Sequence, residues 1–279
     1  SKIFLAHQWL YTLKNYLPLI RDKFFSGYLM PKYKIKIEYN GCDYVGWQRQ
    51  NNGPSIQAAI EGAVLSFCRE KVEVVAAGRT DSGVHALGMI AHFELINNIY
   101  DPATVRKALN FHLGAQPIKI IDTEIAPDTF HARFSAIERR YLYRILNRQS
   151  PPALDTGRVW YIPRKLDIVK MNQAAESLLG EHDFSSFRAK DCQATSPIKT
   201  LNMLTVSQSN DEIHVTAYAR SFLHRQVRNM VGSLKLVGEG KWSPTEVERI
   251  LLAKDRAVAG PTAPPGGLYF LAVSYTHLT

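Results

Sequence analysis

The first regular pattern in the chain alternates apolar with charged residues. Between residues 33 and 39, Tyr and Ile alternate with Lys and Glu, which is the period of a half-buried strand, and Asn40-Gly41 then breaks the pattern. From Ser55 to Phe67, apolar residues recur at three- and four-residue spacing, and Ser55 is a good N-cap. The pattern therefore predicts a strand followed by an amphipathic helix that packs on a sheet.

The same reading predicts two halves, residues 30–148 and 149–279. Further elements of the first half are strands at 72–77, 89–95, 118–125 and 139–147 and a helix at 102–112. The second half has helices at 167–179, 222–237 and 244–252 and strands at 201–207, 212–218 and 268–273. The β-α-β-β-α-β order is ferredoxin-like, with one sheet face free, as in many RNA-binding modules. We predict an α+β protein of two ferredoxin-like (RRM-like) halves, with sheets flanked by helices and a basic cleft between them.

Composition narrows the class of partner. The 279 residues are 46% hydrophobic, enough for a large core, and carry a formal net charge of +9 spread along the chain. Such charge favours a polyanionic partner that exchanges counterions for Lys and Arg. No apolar run approaches the roughly 20 residues of a membrane-spanning helix. Cys42, Cys68 and Cys192 lack paired spacing, which argues against a zinc site or disulfide framework and favours the cytoplasm.

The two ends of the chain depart from this regularity. Residues 1–29 mix apolar, basic and aromatic residues, and regular patterning begins only after Met30. Lys14 and the run at 21–23 interrupt any continuous apolar stretch of the kind a signal peptide needs, so we interpret this segment as an N-terminal extension, native or non-native. Residues 274–279 stop soon after the last predicted strand, and we expect a truncated or unnatural end there.

The loop at residues 77–86 carries the most informative chemistry. Its sequence, Ala-Gly-Arg-Thr-Asp-Ser-Gly-Val-His-Ala, leaves an apolar strand and places Arg79 and Asp81 between two glycines. Loops at strand ends often hold reactive groups on a rigid scaffold. From composition alone, an Asx turn at Asp81-Ser82-Gly83 is the simpler interpretation of this aspartate.

This loop resembles the signature loop of the TruA family of tRNA pseudouridine synthases. Further stretches are similar to that family in the same order: 46–50 (GWQRQ), 130–135 (FHARFS), 140–143 (RYLY), 183–188 (DFSSFR) and 222–232 (FLHRQVRNMVG). The resemblance spans about residues 30–275.

The resemblance implies a function and several roles. Asp81 corresponds to the catalytic carboxylate, Arg228 to the arginine that pairs with it, Arg79 to a contact with the RNA backbone and flipped base, and Tyr141 to a residue that packs on the target uridine. The family isomerises uridine at positions 38 to 40 of the tRNA anticodon arm, as a homodimer and without metal or organic cofactor. Two routes remain open for the aspartate: covalent attack, or deprotonation at C2′ through a glycal-like intermediate.

Other basic and aromatic residues are candidates from their pattern. Arg49, Arg133, Arg188 and Arg225 are placed to line an approach for phosphates, although a surface arginine is more often simply solvated. In the predicted helix 222–237, preceded by Arg220, we expect a basic face that includes His224 and Arg228. Period two puts Tyr143 on the same strand face as Tyr141, where we expect it in the core. His85, His131 and His224 are too scattered to indicate a metal site.

Two alternatives come from other functional classes. A non-catalytic RNA-binding module with two RRM-like halves would have the same composition and pattern. A nucleoside glycosidase would use two carboxyl groups at a set separation, and no second acidic residue accompanies Asp81 in its loop.

Overall fold

A computed structural model describes residues 30–276, so the predicted extension at 1–29 and residues 277–279 lie outside the described part. The strands are β1 (Lys32–Tyr39), β2 (Val75–Ala76), β3 (His85–Glu94), β4 (Ile118–Ala126), β5 (Ala136–Leu146), β6 (Trp160–Tyr161), β7 (Gly180–Asp183), β8 (Ile198–Ser209), β9 (Glu212–Ala219) and β10 (Leu268–Tyr275). The helices are α1 (Ile56–Cys68), α2 (Pro102–Leu113), α3 (Ile168–Glu176), α4 (Gln226–Gly238) and α5 (Pro244–Ala253).

Strands from both predicted halves form one ten-stranded, mostly antiparallel sheet. Its order is β4-β1-β3-β10-β5-β9-β8-β7, with β2 paired to β3 and β6 paired to β5. Strand β10, from the second half of the chain, lies between β3 and β5 of the first half, parallel to β3 and antiparallel to β5. The α+β prediction is confirmed, and the ferredoxin-like order 4-1-3-2 appears in the first half.

The predicted strand 72–77 is wrong in extent, because only Val75 and Ala76 pair with β3. They lie opposite Ala91 and His92, whereas β10 occupies the same edge of β3 nearer its start. Val74 instead bonds to side chains of α1, because its amide donates to Glu61 Oε1 at 3.0 Å and its carbonyl accepts from Gln57 Nε2 at 3.4 Å. After β2 the chain turns into the loop at residues 77–84.

Local chemistry explains the elements that were predicted well. Ser55 accepts a hydrogen bond from the Ala58 amide and caps α1, whose Ile56, Ile60 and Val64 are fully buried. In β1 the alternate residues at 33, 35 and 37 are fully buried as well. In the described part of the chain, the helices are too short or too polar to cross a membrane.

The predicted helix 222–237 begins later than its sequence pattern indicates. Arg225 has a left-handed conformation, φ 61° and ψ 10°, and α4 starts only at Gln226. The Gln226 side chain accepts the Leu223 amide at 2.8 Å, which stabilises a turn in place of the first helical residues. The predicted basic helix face is therefore wrong for Arg220 and His224, because both residues precede the helix. His224 lies in the turn that leads into α4.

A strap at residues 260–263 crosses α4 at Gly232. A side-chain carbon at Gly232 would lie 1.7 Å from the Pro261 carbonyl oxygen, so only glycine permits this approach. Beside it, the Gly260 amide donates to Ser233 Oγ at 3.0 Å and the Ala263 amide donates to the Arg228 carbonyl at 3.1 Å. These contacts hold the strap at a fixed distance from α4.

We expect Gly232→Ala to lower the free energy of unfolding by about 1–3 kcal/mol, because the strap must lift away from the helix. Gly62 in α1 has open space around its α-carbon, and Gly62→Ala should stabilise the protein by roughly 0.5–1 kcal/mol. Urea denaturation of the two variants measures both effects. Equal stabilisation by both substitutions would contradict the packing described for the strap.

Candidate active site

The loop containing Asp81 is a tight turn braced by its neighbours. The Val84 amide donates to the Asp81 carbonyl at 3.2 Å, and Gly83 adopts a positive φ of 76°. Ser82 Oγ and the Gly83 amide both donate to the carbonyl of Tyr44, at 3.1 and 3.3 Å. The backbone of the loop is therefore fixed on a second segment rather than free in solvent.

From Tyr44 that second segment continues into the 46–50 stretch noted in the sequence. Gly46 has φ 111°, and a side-chain carbon there would lie 2.5 Å from the Thr80 carbonyl oxygen. The Trp47 amide donates to the same oxygen at 3.1 Å, and the Trp47 carbonyl accepts from Gln57 in α1. Close backbone packing thus couples the Asp81 loop to the start of α1, which gives this motif a structural role.

Arg228 of α4 faces Asp81 across the junction of the two halves. Its Nη1 donates to Asp81 Oδ2 at 2.8 Å, and its Nε donates to the Ala263 carbonyl of the strap at 2.8 Å. The two side chains are mostly buried, with 11% of the arginine and 20% of the aspartate exposed. The guanidinium is thereby held in one orientation, with its charge directed at the carboxylate.

His224 contacts the other oxygen of the same carboxylate. Its Nε2 lies 3.0 Å from Asp81 Oδ1, and its Nδ1 lies 3.2 Å from Asp191 Oδ1. Only the doubly protonated imidazolium can present N–H groups to two carboxylates at once. Contact with Asp81 raises the pKa of His224 above its ordinary value of 6.5, against the opposing effect of partial burial.

These contacts keep Asp81 ionised. Burial alone would raise the pKa of its carboxyl group, but contacts with His224 and Arg228, and their charges, outweigh burial and place the pKa below 3.8. Asp81 is thus a partly desolvated anion with an open edge, which is the state a nucleophile or general base requires.

Tyr141 lies on β5 beside this carboxylate. Its ring meets those of Phe222 and Phe270 nearly at right angles, with centroids 5.1 and 5.2 Å away. Burial raises the pKa of the phenol and the Asp81 charge adds to that rise, so the phenol stays neutral. Tyr143 is fully buried and donates to the Pro264 carbonyl, which confirms its prediction as a core residue.

The buried Arg139 of β5 donates hydrogen bonds to three segments of the chain, each of which carries an exposed arginine. Its Nε donates to the Ala77 carbonyl at 2.9 Å, its Nη2 donates to the Arg133 carbonyl at 2.6 Å, and its Nη1 donates to the Arg220 carbonyl. The exposed side chains of Arg79, Arg133 and Arg220 therefore start from backbone close to the Asp81 loop.

The arginines predicted to contact RNA differ in whether their side chains already have partners within the protein. Arg49 pairs with Glu61, and Arg188 donates to the carbonyls of Cys192 and Ala194 at 2.7 Å each, so both already have partners within the protein. Arg79, Arg133 and Arg225 are exposed. Across residues 30–276, these three side chains have no ion pair with an acidic group.

The remaining predicted histidines pack in the protein interior or against neighbouring aromatic rings. His85 is buried, accepts the Gly41 amide at 3.0 Å and lies 3.1 Å from the Gly266 carbonyl. His131 packs on Phe134, with ring centroids 4.3 Å apart. Nowhere between residues 30 and 276 do three His, Cys, Asp or Glu side chains form a group suited to a metal ion.

Comparison with known proteins places this geometry in a family. The family model described as tRNA pseudouridine synthase matches residues 35–135 and 174–276. A tRNA pseudouridine synthase A of Rhodospirillum rubrum is 56% identical over 246 residues, 88% of each chain. That of Rhizobium meliloti is 53% identical over 248 residues, 88% of this chain and 100% of its own. The chain belongs to the tRNA pseudouridine synthase family.

Two residues of this synthase site were not found from the sequence. The sequence pattern places His224 on a basic helix face, and an isolated histidine gives no sign of its partners. The pattern places Arg139 at the start of a predicted strand, where the tyrosines that follow it are the more prominent candidates. The contacts of both residues link segments far apart in the chain, so only the folded structure reveals them.

We expect His224→Asn to slow the synthase by roughly 5- to 20-fold at pH 6, because Asp81 loses one of its two cationic neighbours. The imidazolium is present below pH 6.5 and is lost as pH rises through its raised pKa, so the defect should shrink at high pH. The acidic limb of the variant should move to higher pH. Single-turnover rates from pH 5 to 9 measure this.

The control is His112→Asn, which alters an exposed histidine of α2 and should leave the pH profile unchanged. A constant rate ratio between wild type and His224→Asn at every pH would show that His224 acts through packing alone.

Proposed function

We propose that this protein isomerises uridine to pseudouridine at positions 38 to 40 of the tRNA anticodon arm, with Asp81 as the catalytic carboxylate. The observation that carries the proposal is the ionised Asp81 held by Arg228 at the open edge of the site. Family membership supports tRNA as the substrate, since the relatives are named tRNA pseudouridine synthase A.

The reaction breaks the C1′–N1 bond, turns the base and forms a C1′–C5 bond. The proton leaves C5 and N1 gains one, so substrate and product have the same atoms. Asp81 either attacks the nucleotide covalently or removes the C2′ proton to give a glycal-like intermediate. Both routes start from an ionised carboxylate, and contacts with His224 and Arg228 keep it ionised.

The charge network favours isomerisation over hydrolysis. A hydrolytic glycosidase places a second carboxyl group across the scissile bond, to act as acid or to activate water. Here the acidic partner in the network, Asp191, lies beyond the His224 ring and on the far side of it from Asp81. The imidazolium separates the two carboxylates, so they are not arranged as an acid and base pair.

Substrate contacts are assigned to the residues around the carboxylate. A uridine in a stacked arm must be extruded to reach Asp81. We assign Tyr141 to packing on the extruded base. We assign Arg79 to filling the gap that the uridine leaves in the stacked arm and to contacting the adjacent RNA backbone. Arg133 and Arg225 are exposed and suited to phosphates, whereas Arg49 and Arg188 must first exchange their internal partners.

The proposed assembly is a homodimer in the cytoplasm that needs no metal or organic cofactor. Within residues 30–276 the cysteines at 42, 68 and 192 are free thiols, which supports a reducing compartment. Light scattering on the purified protein tests the dimer, and a monomeric mass at micromolar concentration would exclude it.

Incubation of the purified protein with unmodified tRNA should convert uridines at positions 38 to 40 and leave other uridines unchanged. Chemical mapping of pseudouridine at single-nucleotide resolution measures this, and chromatography of the same reaction detects any free uracil. Release of uracil would indicate a glycosidase, and modification elsewhere in the tRNA would overturn the proposed positions.

Asp81→Asn should abolish isomerisation, by at least about 10³-fold, because the amide can neither attack nor accept a proton. tRNA affinity should change little, since the variant removes a negative charge from a basic surface. Tritium release from 5-labelled uridine measures turnover, and filter binding measures affinity. Full activity in Asp81→Asn would show that this aspartate has a structural role rather than a catalytic one.

A further inference from the structure

An open cavity of about 570 Å³ lies next to the Asp81 site, and nothing above assigns it a ligand. Its walls come from the loop after Arg188, from the start of α4 and from the segment leading into the strap. The lining residues are Ala189, Lys190, Asp191, Arg225, Asn229, Arg256 and Thr262. Asp191 connects it to the active site, because its carboxylate contacts His224, which contacts Asp81.

The cavity is positively charged. Three of its lining residues, Lys190, Arg225 and Arg256, are cations, and within the described chain none of them forms an ion pair with an acidic group. The single lining carboxylate, Asp191, is offset by the imidazolium of His224. An anion of one or two charges would therefore meet an uncompensated cationic wall.

Arg256 is the fixed member of this cluster. Its Nη2 donates to Thr262 Oγ1 at 3.1 Å and to Asn229 Oδ1 at 3.3 Å, both of them neutral acceptors. Asn229 is fully buried and donates to the Phe187 carbonyl at 2.8 Å, so it cannot rotate away. Partial burial lowers the pKa of Arg256.

The opposite wall is also held in place. The Ala189 amide donates to the His224 carbonyl at 3.0 Å, and Arg188 binds the carbonyls of Cys192 and Ala194. The loop that carries Lys190 is thus anchored on both sides of that residue, while the lysine side chain itself is exposed. A site with fixed walls loses little conformational entropy on binding an anion.

We propose that this cavity binds a backbone phosphate of the tRNA close to the nucleotide extruded toward Asp81. The proposal rests on the proposed function and identifies a part of its substrate site. The lining includes no aromatic side chain on which a base can stack, so the chemistry favours the phosphate over the nucleobase. Arg256 binds the phosphate from a fixed position, and Lys190 and Arg225 close over it.

The test compares tRNA binding by three charge-matched variants. Arg256→Gln and Lys190→Gln should each weaken binding by about tenfold at low salt and reduce the slope of log Kd against log salt by about 1. Arg249→Gln is the control, because it removes one charge from an exposed residue paired with Glu246 outside the cavity. Thermal unfolding shows whether Arg256→Gln is folded. If it is not, Lys190→Gln, which changes an exposed side chain, still tests the proposal.

A synthetic anticodon arm with single methylphosphonate groups locates the phosphate. Neutralising the phosphate that occupies the cavity should weaken binding to wild type, and Arg256→Gln should then add no further loss. The proposal is overturned if cavity variants bind as Arg249→Gln does, or if no phosphate within about three nucleotides of the target couples to Arg256. Pseudouridine formation by wild type tests the reaction separately, so the two proposals fail on different measurements.

Discussion

The site depends on keeping a carboxylate ionised where four fifths of it is removed from water. Desolvation favours the neutral acid, and a neutral Asp81 can neither attack nor accept a proton. Contacts with His224 on one carboxylate oxygen and with Arg228 on the other reverse this balance. A surface ion pair would contribute little, but the imidazolium and the mostly buried guanidinium together contribute enough to set the ionisation state.

Much of the surrounding structure serves to keep these groups in position. Asp81 and Arg228 are 147 residues apart in sequence, and their contact forms only when the chain is folded. Strand β10 lies between β3 and β5, and the strap that precedes it places the Ala263 carbonyl against the Arg228 guanidinium. Gly232 and Gly46 permit the close backbone approaches on either side. The glycines in the motifs thus help to position Asp81 and Arg228.

The sequence predicted what depends on local pattern. Alternation in β1, helical spacing in α1 and the cap at Ser55 follow from short-range preferences, and all three are observed. The start of α4 was missed because Arg225 adopts a left-handed conformation that apolar spacing does not encode. The pairing of Asp81 with Arg228 came from family resemblance, while His224 and Arg139 escaped notice because their partners lie in distant segments.

The proposed catalytic group is negatively charged, which raises a difficulty for an enzyme whose proposed substrate is a polyanion. Phosphates brought to Asp81 would be repelled, whereas an extruded uracil base is neutral and can approach the carboxylate. The arrangement separates these two demands in space, with Asp81 neutralised by Arg228 and His224, and unpaired cations placed beyond Asp191. Affinity for the RNA backbone and binding of the extruded base can then be changed by substitutions at different residues.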